Sequence, residues 1–164
     1  MAEGQERRGR GLDLDVRFSH VVIAVIDVDR STAFYRDVLG MDVVFDKDLS
    51  GEPFAGRAVG GLLGGVSIEL LCLRPTQGDA PAAGRSSVGV QLISLSVPNL
   101  DVAYQLISDA VGPPATNPSR PFAVDGVRMF FLSDPDGTTI EFVEFPGGAR
   151  TPAELHRGVG GSRS

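Results

Sequence analysis

The 164-residue chain has few cysteines and histidines, no long apolar run and no surplus of basic charge. A single cysteine, Cys72, excludes an internal disulfide and favours a reducing, cytoplasmic location. The sequence contains no apolar run of about 18 residues, so it predicts no transmembrane helix. It also has no apolar segment typical of a secretory signal before the first strand. With a net charge of −6, the chain lacks the dense basic face that nucleic acid requires. We therefore expect neither a nucleic-acid nor a membrane partner.

What the sequence does contain is an internal repeat. Sliding the chain by 72 residues superposes its two halves without a gap. The identical pairs include acidic residues and turn glycines: Asp29 and Asp101, Gly40 and Gly112, Gly65 and Gly137, Glu69 and Glu141. Two copies are too few for a solenoid, so the repeat predicts two modules related by pseudo-twofold symmetry.

Each half has the pattern of a β-α-β-β-β module. The first half begins with the β-branched strand "FSHVVIAVI", followed by a helix capped by Asp27 or Asp29 and ended by Gly40. Three more strands follow: "MDVVFDKDL", the weak, glycine-limited "FAGRAVGGL", and "VSIELLCL". The second half repeats this order, so the predicted fold class is α+β with two tandem βαβββ modules.

Composition predicts the boundaries of these modules. We expect a disordered tail (residues 1–16), module 1 (17–74), a linker rich in Pro, Gly and Ala (75–89) and module 2 (90–146). The remainder, 147–164, is a C-terminal tail. In it Thr151, Pro152 and Glu154 predict the start of a short helix.

The strongest chemical signal is a pair of glutamates within apolar strands, Glu69 and Glu141, at matching positions of the repeat. Such a carboxylate is unfavourable unless it is exposed, paired or bound to a metal. Strand alternation points both away from the face that packs under the helix. His20 lies 49 residues before Glu69, as Leu92 lies before Glu141. One imidazole and two carboxylates form a donor set for a divalent metal, and two solvated glutamates are the alternative.

Two motifs carry a resemblance to a known family. They are "HVVIAVIDVDRSTAFYRDVLGM" (His20–Met41) and "FFLSDPDGTTIEF" (Phe130–Phe142). Together with the duplicated module, they make the chain resemble the vicinal oxygen chelate superfamily, also called the glyoxalase, bleomycin-resistance and dioxygenase superfamily, over residues 17–146. The resemblance implies curved mixed sheets from the two modules that enclose a cavity.

The resemblance also implies a divalent metal (Zn, Ni, Co, Mn or Fe) bound at the start and end of each module. Carried over by position, the ligands are His20, Glu69 and Glu141. The fourth position is Leu92, which cannot bind a metal. The adjacent Gln91 replaces it only if a bulge or a one-residue slip turns it to the same face. Glu69 and Glu141 are also the candidate catalytic residues, since one of them, if free of metal, can remove a proton next to a carbonyl.

The favoured function is therefore a metal-assisted isomerase, epimerase or lyase of glyoxalase type, acting on a small, oxygen-rich carbonyl or enolate substrate. The alternative is a metal-free protein that sequesters a small molecule, as in the bleomycin-resistance branch. Leu92 and the small, neutral Ser94 and Ser96 favour that alternative. An extradiol dioxygenase is less favoured because it uses two histidines, and His156 lies outside the repeat. The resemblance further implies a homodimer, with the site within one chain or across two.

Three features outside this constellation complete the prediction. "DPDG" (Asp134–Gly137) is interpreted as a tight structural turn. Arg57 and Arg128, one residue out of register in the repeat, are either surface residues or contacts for a substrate anion. Cys72 is interpreted as a packed, inert thiol.

Overall fold

The computed structural model describes residues 17–50, 55–73, 90, 92–111 and 118–158. The predicted N-terminal tail, the predicted linker and Gln91 lie outside the described residues. Within the described ranges, no helix is long and apolar enough to span a membrane.

Each half of the chain forms a four-stranded mixed sheet. Module 1 contains β1 (Val21–Ala24), α1 (Val28–Ala33) with a π-helical continuation (Phe34–Val38), β2 (Asp42–Leu49), β3 (Gly56–Leu63) and β4 (Val66–Leu73). Its strand order is β1-β4-β3-β2, with β1 parallel to β4 and the other pairs antiparallel.

Module 2 repeats this arrangement. It contains β5 (Ile93–Ser96), α2 (Leu100–Ala110), β6 (Phe122–Val124), β7 (Val127–Ser133) and β8 (Thr139–Glu144). Its order is β5-β8-β7-β6, again with the first and last strands parallel. The predicted α+β fold of two βαβββ modules is confirmed. The two sheets are separate and do not close into a barrel.

The helices begin at residues that the sequence marks as caps. The Asp27 side chain accepts the Arg30 N–H at 3.0 Å, so Asp27 rather than Asp29 caps α1. A short 3₁₀ turn (Pro146–Gly148) and α3 (Pro152–Gly158) follow β8. The Glu154 N–H donates to Thr151 Oγ1 at 3.1 Å, as expected for a helix that begins after Thr151.

The helix-facing sides of both sheets share one apolar core. Buried residues of the two modules form a single contiguous cluster, in which the rings of Phe130 and Phe142 stack with centroids 4.8 Å apart. Ile68 and Leu70 of β4 belong to it, as strand alternation predicts. The residues between them in sequence therefore point to sheet faces that the helices do not cover, which are called the open faces below.

The glycines of β3 accommodate close approach between strands and do not limit the strand. A Cβ on Gly60 would clash with the ring of Phe45 in β2, and one on Gly56 would clash with the Cys72 carbonyl in β4. With eight residues, β3 is a full central strand. The predicted third strand is thus confirmed, and its glycines lie where neighbouring strands come close.

The repeat is not gapless in three dimensions, contrary to the sequence prediction. Val59 pairs with Leu70, whereas Phe130 pairs with Phe142. β7 is therefore offset from β3 by 71 residues, while β8 is offset from β4 by 72. The turn between β7 and β8 absorbs the extra residue.

The Asp134–Gly137 turn of module 2 binds α1 of module 1. The Tyr35 hydroxyl donates to Asp134 Oδ2 at 3.0 Å. Three groups of module 1 contact Asp136: the Ile26 N–H and the Ser31 hydroxyl, each at 3.1 Å, and the Arg30 guanidinium. The turn is thus structural, as predicted, and it also joins the two modules.

Candidate functional site

Glu69 lies in the middle of β4 on the open face of module 1. Its neighbours in register are Val22 of β1 and Gly60 of β3, and the Phe45 ring lies over Gly60. No hydrogen bond to the Glu69 side chain occurs among the described residues. The carboxylate lines a cleft of about 540 Å³ together with Asp48, Leu49, Ser50 and Leu71. It is therefore available to a ligand.

Glu141 has the equivalent position in β8 but different neighbours. Ser94 of β5 lies beside it, and the Ser94 hydroxyl donates to Glu141 Oε2 at 2.6 Å. On its other side lies Phe131 of β7, whose ring centroid is 5.8 Å from that of Phe122. The Glu141 carboxylate is therefore held by a hydroxyl and bordered by aromatic rings.

His20 and Leu92 each precede the first strand of their module by one residue. The predicted nine-residue first strand is only four residues long, so His20 lies just outside it. Alternation places His20 on the face of Val22 and Leu92 on the face of Ser94. His20 is exposed, and its Nδ1 lies 2.8 Å from Ser19 Oγ, which leaves Nε2 for a ligand.

The three predicted metal ligands do not converge within one chain. The described part of the chain holds no group of three or more His, Cys, Asp or Glu side chains able to hold a metal ion. As a donor set, one imidazole and two carboxylates nevertheless fit a divalent transition metal. A site that uses His20, Glu69 and Glu141 together needs the two open faces to be brought against each other.

Arg57 and Arg128 lie on the opposite, helix-covered faces. Arg57 pairs with Asp46 at 2.6 Å and Asp29 at 2.8 Å, and Arg128 pairs with Asp101 at 2.6 Å. The hydrogen bond from Arg57 holds the pKa of Asp46 below its ordinary value. Because β7 is offset by 71 residues, the two arginines are equivalent, and each connects a central strand to a helix start. Both arginines are structural, and neither lies on an open face.

A family model for the Glyoxalase/Bleomycin resistance protein/Dioxygenase superfamily matches residues 17–142. The chain belongs to this superfamily. The two paired βαβββ modules are therefore a glyoxalase-superfamily fold.

Two curated proteins are similar to the chain. It is 26% identical over 128 residues to lactoylglutathione lyase GLX1 of Arabidopsis thaliana, covering 78% of this chain and 44% of that protein. It is 34% identical over 96 residues to the mitochondrial methylmalonyl-CoA epimerase of Bos taurus, covering 53% of this chain and 50% of that protein. The chain spans about half the length of these relatives.

A solved structure shows the same fold. A mutant of the fosfomycin resistance protein FosX of Listeria monocytogenes, complexed with Mn(II) and a dihydroxypropylphosphonic acid, superposes with a TM-score of 0.56 at 15% identity. The match covers 82% of this chain and 92% of FosX. A protein of this fold thus binds a divalent metal.

Sequence reasoning finds the two glutamates but misses their surroundings. It treats Ser94 only as a small, neutral residue, although the repeat aligns it with Val22. The parallel pairing of the first and last strands of each module is the signal that identifies Ser94 as the neighbour of Glu141. The same sheet register brings Phe131 beside that glutamate.

Proposed function

We propose that this protein is a metal-assisted isomerase, epimerase or lyase that acts on a small substrate with a carbonyl or enolate oxygen. The observation that carries the proposal is the equivalent placement of Glu69 and Glu141 on the open faces of the two modules. His20 adds an imidazole on the Glu69 face. The two relatives are a lyase and an epimerase, which supports this reaction class.

In this proposal His20, Glu69 and Glu141 hold a divalent metal (Zn, Ni, Co, Mn or Fe). When bound, that metal supplies a Lewis acid that polarises the substrate carbonyl. Leu92 provides no ligand, which leaves room for substrate oxygens. A glutamate oxygen takes the proton from the carbon next to the carbonyl and returns it to carbon, which accounts for epimerisation or isomerisation.

We further propose that the complete site forms in a homodimer, where module 1 of one copy closes on module 2 of the other. Phe18 and Val90 support this assembly. They stand at equivalent positions of the repeat, before β1 and β5, and are 76% and 94% exposed. Exposed apolar side chains at the beginning of both strands are expected at a surface that another chain covers.

A metal-free protein that binds a small molecule is the second candidate. The apolar and aromatic character of the open faces favours it, since Leu71 borders the Glu69 cleft and Phe131 borders Glu141. In this case the glutamates would bind polar groups of the ligand directly, and Leu92 would contact its apolar part.

Metal analysis of untagged protein distinguishes the two candidates. We expect a stoichiometric divalent metal after loading and dialysis, measured by plasma mass spectrometry, and its loss in His20→Ala and Glu141→Ala. His156→Ala is the matched control, because His156 is the other histidine of the chain and lies in α3. A wild-type protein that binds none of the five metals would overturn the metal-assisted function and favour the binding protein.

A further inference from the structure

The two glutamates of the site differ in their hydrogen bonding. The register neighbour of Glu141 on the first strand of its module is Ser94, and that of Glu69 is Val22. Ser94 Oγ donates to Glu141 Oε2 at 2.6 Å, whereas valine has no group that can donate. The pseudo-twofold symmetry is therefore broken at the register neighbour of each glutamate.

This difference changes how each glutamate can act. A hydroxyl donor at 2.6 Å is within the ordinary range for a bond to an ionised carboxylate, and it restrains the side chain. With Oε2 engaged by Ser94, Glu141 presents Oε1 to a ligand. Glu69 has no hydrogen bond among the described residues, so neither of its oxygens is engaged by them.

We infer that Ser94 is a positioning residue that holds Glu141 as the fixed carboxylate ligand of the metal. Glu69, which has no such donor, is then the carboxylate that takes the substrate proton. This inference rests on the proposed function. In the proton step the substrate C–H bond breaks, the proton binds a Glu69 oxygen, and the electron pair stays on the substrate as an enolate. Return of the proton to carbon restores the ionised Glu69.

Mn(II) affinity of the full chain, measured by isothermal titration calorimetry, tests the role of Ser94. Ser94→Ala removes the hydroxyl and is expected to weaken Mn(II) binding about 10- to 100-fold, the usual effect of losing a group that orients a ligand. Ser94→Thr keeps a hydroxyl and is expected to restore affinity close to that of the wild type. Ser96→Ala is the matched control, because Ser96 lies on the same strand face but beside Val143, and its affinity should not change.

The same titration tests the division of roles. Glu141→Gln should weaken Mn(II) binding more than Glu69→Gln, because Glu141 is the held ligand. The reverse order overturns the assignment.

The outcomes separate this inference from the proposed function. Absence of Mn(II) binding by the wild type overturns both. If the wild type binds Mn(II) and Ser94→Ala changes the affinity by less than about threefold, only the role of Ser94 is overturned. Equal weakening by Ser94→Ala and Ser96→Ala overturns it as well, since the effect would then not depend on Glu141.

Discussion

At the residue scale, the hydroxyl of Tyr35 completes the hydrogen bonding of a buried carboxylate. Tyr35 and Asp134 are 0% and 2% exposed and are bonded to each other at 3.0 Å. The other Asp134 oxygen accepts the N–H groups of Asp136 and Thr138 at 3.0 and 2.7 Å. Buried polar groups are stable when bonded in this way, so a residue of module 1 stabilises a turn of module 2.

We predict that Tyr35→Phe lowers the free energy of unfolding by about 1–3 kcal/mol, because Asp134 Oδ2 loses its donor while remaining buried. Urea denaturation followed by circular dichroism measures the change. Tyr104→Phe is the control, since the Tyr104 hydroxyl has no hydrogen bond within the described ranges and its ring only packs against Phe130. Equal losses for the two variants would contradict the role of the Tyr35–Asp134 bond.

Tyr35 also predicts a loss of stability in alkali. Burial raises the pKa of Tyr35 above its ordinary value of 10.0, and the adjacent Asp134 carboxylate raises it further. Below pH 10 the hydroxyl is protonated in both states, so the full stability is present. Above that pH the unfolded chain releases the proton first, and stability falls by up to about 1.4 kcal/mol per pH unit.

Urea denaturation between pH 9 and pH 11 tests this dependence. The wild type should lose stability more steeply with pH than Tyr35→Phe, and the gap between the two curves should narrow above pH 10. Parallel curves would show that Tyr35 ionises equally in both states.

At the scale of the elements, packing between β2 and β3 shapes the Glu69 cleft. The ring of Phe45 lies over Gly60, where any Cβ would clash with it. Glu69 lies beside Gly60 on β4. The ring position on β2 therefore sets one wall of the space next to the carboxylate.

We predict that Gly60→Ala lowers stability by about 1–3 kcal/mol by displacing the Phe45 ring. In a Phe45→Ala background the same substitution should have little effect, because the ring atoms that the Cβ meets are then absent. A double-mutant cycle by urea denaturation measures the coupling, expected at about 0.5–3 kcal/mol. Additive effects would show that the loss comes from the β3 backbone and not from the ring.

At the scale of the whole molecule, the shared core lies between the helix-facing sides of the sheets, and the open faces are left uncovered. The proposed metal site therefore requires a second copy of the chain to bring the two open faces together. In a dimer with sites across subunits, His20 and Glu141 of one site come from different chains.

We predict that His20→Ala and Glu141→Ala complement each other when refolded together. A mixed dimer has one site with both residues intact, so about a quarter of the wild-type Mn(II) sites should return at equal mixing. Each variant refolded alone is the control, and light scattering establishes the dimer. No regained binding in a mixed dimer would place the site within one chain.

Much of the fold could be predicted because its signals are local. Alternating apolar residues mark strand faces, and Asp27 and Thr151 mark helix starts, since a cap acts within a few residues of the chain. The repeat could be recognised because duplication preserves glycines and acidic residues at matched turns and strands. These same local signals place Glu69 and Glu141 on open faces.

The sequence by itself thus determined the two modules, the helix caps and the faces of Glu69 and Glu141. Only the tertiary structure decided which residues meet across strands. Parallel pairing placed Ser94 beside Glu141, to which its hydroxyl donates a hydrogen bond. The same pairing placed Val22, the repeat partner of Ser94, beside Glu69, to which valine cannot donate. One added residue in a turn made Arg57 and Arg128 equivalent on the helix side. The physical reason is that sheet register joins residues far apart in the chain, where a change of one residue alters every neighbour.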